Sequence, residues 1–417
     1  MKRKFTDPPA TVELLDAKMV SPTELGMGVD VTFPANMPSG APRNITFYAT
    51  INGKQVVKTV DVTGDTSPGV LWGKIGNKRN QMYDLRGNLL PTTPLKINLS
   101  TEGVPRFTDN VRFTMTAIAS YQGGTPSDPS SRDVTVLLPV VVIEGCSVGL
   151  QNEPGYQSWA YAFFYKNFSD ALKKHGYLSS THYGTSTQLA YRTLWDPSDP
   201  VVQYNDVRDV TVAQLQQMMD NVLQQVRLHS YANKMNLVGK SFGGLIARDY
   251  AAENPSGVNT VIAIGTPHMG TVVFYSLVLK DYPSMKAALQ AIPKDRAAYW
   301  TVPTYANALQ FENGNQAPNL FTNPLADVGK ATGVTYYCIY SDYNANTPES
   351  LTVKSSNGWY AVVNTQTGQG DGYIAAISAG NRNFGTPIRL VQGGDHAVQL
   401  NQIEVQNIIE NIVMKGA

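Results

Sequence analysis

The chain holds only two cysteines, Cys146 and Cys338, in 417 residues. That excludes a disulfide scaffold and any zinc site built from cysteines. Charge is scarce as well. Asp, Glu, Lys and Arg make up 16% of the residues, against the roughly 25% usual in globular chains. The 33 Lys and Arg nearly cancel the 32 Asp and Glu, so no basic field exists to hold nucleic acid. Long apolar runs are missing too. The longest, Val134 to Ile143, is broken by Thr135 and Pro139. It is about half the roughly 20 residues needed to cross a bilayer, and it reads as a buried strand. The N-terminus starts Met1-Lys2-Arg3-Lys4 and turns polar at Thr6, Asp7, Pro8 and Pro9, without the apolar stretch of a leader. Asn, Gln, Ser, Thr, Gly and Tyr stand in for the missing charges, as they do in many secreted proteins. The expectation is a mature secreted or periplasmic form, with a cytoplasmic chain as the alternative. Hydrophobic residues at 42% exclude a disordered chain.

Two textures divide what is present. Between Thr11 and Val136 the apolar residues alternate in short runs: Val29–Phe33, Ile45–Ile51, Gln55–Val62, Leu95–Leu99, Val111–Ile118 and Asp133–Val136. That is the period of a half-buried strand. Asn52-Gly53, Thr63-Gly64-Asp65 and Gln122-Gly123-Gly124 punctuate them as turns, and Pro126 to Ser131 reads as a loop. Such runs predict a β-sandwich of about seven strands over residues 1–138, resembling in pattern the immunoglobulin-like modules of secreted enzymes. From residue 139 to 417, apolar strands (Val140–Ile143, Met235–Val238, Thr260–Ile264) alternate with helical spacing over Tyr161–His175, Val212–His229 and the stretch after Phe242. Strand, helix, strand, helix predicts an α/β domain with a mostly parallel sheet covered on both faces.

The sharpest motif is Gly239-Lys240-Ser241-Phe242-Gly243. It follows an apolar strand and opens a helix, the setting of a nucleophile elbow. A serine hydroxyl needs a base, and the fold that carries this elbow orders its partners Ser, then Asp or Glu, then His. Of five histidines, only His268 and His396 follow Ser241. His268, in Gly265-Thr266-Pro267-His268, comes too early in the chain for the base and is expected to be structural or to line the cleft. His396 lies in the glycine-rich Gly393-Gly394-Asp395-His396 loop, from which a base can reach over a sheet. Asp371, in Gly370-Asp371-Gly372, is the expected acid; Asp342 and Glu349 compete with it. The oxyanion hole calls for two backbone N–H donors. The expected ones are Phe242, after the nucleophile, and Cys146 in the loop Glu144–Gly149, with Ser147 second. Cys146 and Cys338 are expected on separate strands, hence two free thiols.

Leu237–Tyr250, Ile264–Thr271, Tyr337–Ser341, Asn346–Ser350 and Gly370–Gly372 together resemble α/β-hydrolase lipases, and among them the lecithin:cholesterol acyltransferase-like branch. The resemblance implies a serine esterase or lipase with Ser241, Asp371 and His396 as its triad, and no metal or other cofactor. Two positions depart from the lipase pattern: Glu144-Gly145 replaces His-Gly in the oxyanion loop, and Lys240 replaces the His before the serine. Residues 270–333 form an insertion far longer than a sheet connection needs. Phe274, Tyr275, Leu277, Trp300 and Phe311 make it apolar. It reads as a cap walling an acyl pocket. Ser147, Lys240, His268 and Phe274 are the side chains expected near substrate. The expected partner is a small-molecule or lipid ester, with peripheral contact to a lipid or polymer surface. An acyltransferase or phospholipase would use the same triad; a non-catalytic surface-binding or adhesion protein is the alternative of another kind.

Overall fold

The computed structural model describes residues 9–34, 37, 40–63, 70–72, 95–143, 211–268, 330–356, 359–371, 374, 376–380, 382–396, 399 and 402–415. The alternating N-terminal runs pair into two antiparallel sheets. One joins β1 (Thr11–Met19), β2 (Glu24–Thr32), β5 (Val70–Trp72) and β6 (Leu95–Asn98). The other runs β4 (Lys54–Asp61), β3 (Arg43–Ile51), β7 (Val111–Tyr121), β8 (Ser130–Val136). Along β7, Phe113, Met115, Ala117, Ala119 and Tyr121 are buried while the residues between them are not. Their side chains meet those of β1 and β2 in one core with Leu14, Met27, Val29, Ile45 and Phe47. The alternation therefore gives a two-layer sandwich.

Two details go beyond or differ from expectation. Strand β1 is not among the expected runs; it has no clean alternation, because its register shifts between Leu14 and Asp16. Such a bulge changes which face each later residue takes, and its buried positions become Leu14, Ala17 and Met19. The stretch expected as a loop at 126–131 already pairs from Ser130. Its serines tie strands together: Leu14 N–H donates to Ser130 Oγ (2.9 Å) and Ala119 N–H to Ser127 Oγ (2.9 Å).

Three residues after β8 the chain enters a parallel sheet in the order β15 (Thr386–Arg389), β12 (Thr335–Tyr340), β11 (Val258–Ile264), β10 (Met235–Lys240), β9 (Val140–Ile143). Every residue of β9 and β10 is buried, as two covered faces require. Val140, Val142, Val238, Ile262, Ile264 and Ile339 pack against Val405, Ile409 and Val413 of helix α3 (Ile403–Val413). The opposite face takes helix α2 (Phe242–Glu253), which touches β9, β10 and β11. Helix α1 (Val212–His229) begins with a capping box between Thr211 and Gln214 and buries Leu215, Met218, Met219, Val222, Leu223 and Val226. That stripe follows the 3.6-residue period. Between β12 and β15 stands an antiparallel hairpin, β13 (Asn344–Ser356) and β14 (Trp359–Gly370), whose end delivers Asp371. Among the described residues no helix is long and apolar enough to cross a membrane.

The sandwich is docked firmly on the parallel sheet. Tyr231, between α1 and β10, is buried in the sandwich core. Its hydroxyl donates to Val104 O (2.8 Å) and its ring meets Phe107 edge-on at 5.6 Å. Phe107 N–H donates to Tyr231 O (2.9 Å), and Asn233 N–H donates to Phe107 O (2.8 Å), so the backbones pair across the junction. Arg106 donates to the carbonyls of Arg227 and Ser230, which closes the end of α1. Asn110 Nδ2 does the same for α3, donating to Val413 O and Lys415 O. All these contacts lie at the edge where the parallel strands begin.

Tyr231→Ala should therefore loosen both halves, costing about 3 kcal/mol or more as an aromatic core truncation. Calorimetry should show a lower Tm, and an unchanged Tm would refute the docking. A second prediction comes from the α1–α2 contact. Gln216 Nε2 donates to buried Asp249, and burial pushes that carboxyl up from 3.8 to about 6. The folded state then holds the proton more tightly than the unfolded one, so stability falls as pH rises from about 4 through 6. Asp249→Asn should stabilise the fold above pH 6 by about 3 kcal/mol at most, seen as a higher Tm, and the gain should vanish near pH 4. Equal Tm gains at pH 4 and pH 8 would contradict it.

Candidate active site

Strand β10 ends at Lys240, and the chain turns at once into α2. Ser241, the residue at the turn, has φ +53° and ψ −124°. For a residue with a Cβ this is a strained region, which the surroundings must enforce. Ser241 N–H donates to Ile264 O on the neighbouring strand (2.8 Å), and Gly244 N–H donates to Ser241 O (3.0 Å). The turn is packed too tightly for side chains at two positions. A Cβ at Gly239 would lie 2.5 Å from Gly243 O and from Gly244 Cα; one at Gly244 would lie 2.0 Å from Thr266 Oγ1. Ser241 is the N-cap of α2, yet its hydroxyl makes no capping hydrogen bond. An N-cap serine ordinarily gives its oxygen to the helix; this backbone leaves it available for other chemistry. Phe242 is fully buried, and its amide opens the helix, whose N-terminal end favours negative charge.

His396 and Asp371 meet at the same rim. His396 Nδ1 lies 2.8 Å from Asp371 Oδ2. A carboxylate only accepts, so Nδ1 carries the hydrogen, and in the neutral ring Nε2 is the nitrogen that can take a proton. The pair is also fixed through the backbone: His396 N–H donates to Asp371 O (3.0 Å), and Ile374 N–H donates to Asp371 Oδ1 (2.7 Å). Asp371 is buried, and the imidazole is 14% exposed. Of the competing acids, Asp342 is engaged with Arg389 Nε (2.6 Å), while Glu349 belongs to β13. Gly265 links the serine side of the rim to the histidine side. It follows Ile264, which holds Ser241 N–H, and a Cβ built on it would lie 2.8 Å from Asp371 Oδ2 and 3.2 Å from His396 Nδ1.

His268 belongs to the core, not to a cleft. It is 1% exposed, stacked on Phe384 at 5.1 Å, with Nε2 3.4 Å from Cys338 Sγ. Arg248 of α2 covers the same Phe384 ring at 3.7 Å. Burial, with Arg248 nearby, drives the His268 pKa well below its ordinary value, so the ring is neutral. Burial likewise pushes the Cys338 thiol up to about 12. Cys338 is a free, unreactive thiol. Lys240 is also buried. Cys146, Ser147, Phe274 and nearly all of the expected cap lie outside the described residues. Among the described residues no three His, Cys, Asp or Glu side chains cluster to hold a metal. A cleft of about 640 Å³ lined by Lys330, Thr335, Tyr336, Arg382 and Thr386 opens where β12 and β15 begin, the edge opposite Ser241. Sequence reasoning missed Gln399, whose amide reaches Asp371; an isolated glutamine carries no motif.

The palmitoyl protein thioesterase family model matches residues 150–315, less than half of the chain. No curated protein matches significantly. Among solved structures, a Listeria innocua gene product superposes with TM-score 0.36 and 12% identity over 68% of this chain and 96% of its own. Carboxylesterase CesB of Bacillus subtilis gives TM-score 0.35 and 12% identity over 76% and 95%. Bacillus licheniformis lipase BlEst2, in its propeptide form, gives 0.35 and 17% over 67% and 51%. These likenesses are faint; the strand order and the elbow are stronger. The fold is that of the α/β-hydrolases.

Gly265→Ala tests the rim. Its φ of +51° disfavours alanine, and the new methyl would press on Asp371 and His396. The variant should fold with a modest loss of Tm, and ester turnover should fall on the order of 100-fold, the scale of a misplaced catalytic group. Wild-type kcat/KM in a folded variant would show that the rim is not the site.

Proposed function

We propose that the protein hydrolyses carboxylic esters through an acyl-enzyme on Ser241. The observation that carries this reading is the strained serine at the rim where His396 is held by Asp371. Ser241 Oγ attacks the ester carbonyl carbon while His396 Nε2 takes its proton. Asp371 keeps the ring in the required tautomer and stabilises the imidazolium. The Phe242 N–H receives the oxyanion together with a donor from the loop that follows β9. The alcohol departs with the proton from His396. Water, deprotonated by the same ring, then releases the acid and frees the serine.

An acyl group with an apolar tail is the substrate class this reading favours. The segment after Gly270 is rich in aromatic and aliphatic residues, and the thioesterase match extends into it, to residue 315. That match also favours a second reading, in which the leaving group is a thiol; the serine chemistry is the same. A transferase passing the acyl group to an alcohol would differ only in its acceptor, and product analysis with added alcohol separates it from a hydrolase. A secreted or periplasmic setting accompanies the proposal, on the low charge of the composition.

The test is a panel of p-nitrophenyl esters from acetate to palmitate, with matched acyl thioesters, run on wild type and Ser241→Ala. Wild type should turn over esters longer than acetate. Ser241→Ala should lose on the order of 10⁴-fold or more, together with fluorophosphonate labelling. Absence of labelling in wild type would end the hydrolase reading and revive a binding role. Activity confined to acetate would end the apolar acyl pocket alone.

A further inference from the structure

We infer that Gln399 is a positioning residue that holds the orientation of His396 through Asp371. The inference rests on the triad reading above and adds to it a fourth group. Gln399 is fully buried. Its Nε2 donates to Asp371 Oδ2 at 3.0 Å, the same oxygen that accepts His396 Nδ1–H at 2.8 Å. The other carboxylate oxygen accepts Ile374 N–H. Asp371 is thereby held in the orientation His396 needs.

The amide's other end shows what the glutamine is for. Its Oε1 is buried and, among the described residues, has no hydrogen-bond partner. It sits against Gly265, where a Cβ would come within 2.4 Å of it. Leaving a buried acceptor unpaired is unfavourable. A methionine of the same length would leave no orphan oxygen. What glutamine adds over methionine is an amide donor, and its Nε2 goes to Asp371.

The donor is neutral, and this matters chemically. A cation at the same place would withdraw charge from Asp371 and oppose the imidazolium that forms during attack. An amide shares Oδ2 without adding charge. It takes part of the oxygen's acceptor capacity, so Asp371 pulls less on the Nδ1 proton than an unshared carboxylate would. Without it, the carboxylate would lose one of its anchors, and His396 would lose the orientation that the shared oxygen gives it. Gln399 is fully buried and acts through Asp371, so its loss belongs in kcat and not in KM.

The experiment measures kcat and KM against pH on a p-nitrophenyl ester for wild type, Gln399→Met and Gln399→Glu. Thermal unfolding and the downfield proton resonance of His396 Nδ1–H accompany it. Gln399→Met should lose about tenfold in kcat, the scale of one charge-assisted hydrogen bond, with KM unchanged. Its pH profile should differ from that of wild type, and its Nδ1–H resonance should shift. Gln399→Glu is nearly isosteric and covers the case in which the methionine variant does not fold. It donates as the neutral acid and repels Asp371 once ionised, so its deficit should grow with pH. Profiles and resonance that superimpose on wild type would overturn the inference. Failure of the triad itself reads differently: fluorophosphonate labelling would then persist in Ser241→Ala.

Discussion

Between a strand buried along its whole length and a helix buried over most of its own, one serine turns the chain with φ at +53°. Such a conformation disfavours any residue with a Cβ and persists only where the surroundings leave no alternative. Here they leave none. Gly239 and Gly244 have backbone and Thr266 where side chains would stand, and Ile264 O fixes the serine amide. Because the strands are parallel, the end of β10 and the end of β11 lie at the same edge. The strain at Ser241 and the position of Gly265 beside His396 are thus two results of one sheet order.

The acid and the base reach that edge by another route. Neither sits on a strand of the parallel sheet. Asp371 follows the antiparallel hairpin β13–β14, and His396 follows β15. A loop residue needs anchors that a strand residue receives from its ladder. The anchors are present: two backbone hydrogen bonds join Asp371 to Ile374 and His396, and both carboxylate oxygens are occupied. The nucleophile is placed by strain and close packing, and its partners by hydrogen bonds. That division explains why a buried glutamine with one unpaired oxygen is worth holding beside Asp371.

What could be read from the residues follows the same division. Ser241 was legible because the glycine spacing, the apolar strand and the helix all sit within a few positions of it. Helix α1 was legible over Val212–His229 because its buried residues keep one period throughout. Strand β1 was not, since the bulge after Leu14 breaks the parity on which alternation depends. The hairpin was not, because the Asn344–Gly370 stretch mixes polar and apolar residues without a sustained alternation in the sequence. Asp371 was reached from its flanking glycines and its distance from His396, not from the element that carries it. His268 shows a choice that sequence leaves open. Its place after a strand end fits a structural or a cleft-lining residue, and only three-dimensional packing, with Phe384 and Cys338 against it, favours the first. Gln399 had no local signal at all, since its meaning lies in a contact 28 positions away.

The position of the sandwich bears on what it can do. In a parallel sheet the strand ends gather at one edge and the strand beginnings at the other. Ser241 ends β10, while Tyr231, Ala232 and Asn233, which pair with or pack on the sandwich, precede it. The sandwich therefore attaches at the pole away from the rim, where its side chains close the ends of α1 and α3. From there these contacts cannot wall an acyl pocket or supply an oxyanion donor. They can brace the sheet, since they satisfy helix carbonyls that would otherwise be unpaired. A surface or polymer bound by the sandwich would act by raising the local concentration of substrate, and would change binding while leaving the chemistry at Ser241 as it is.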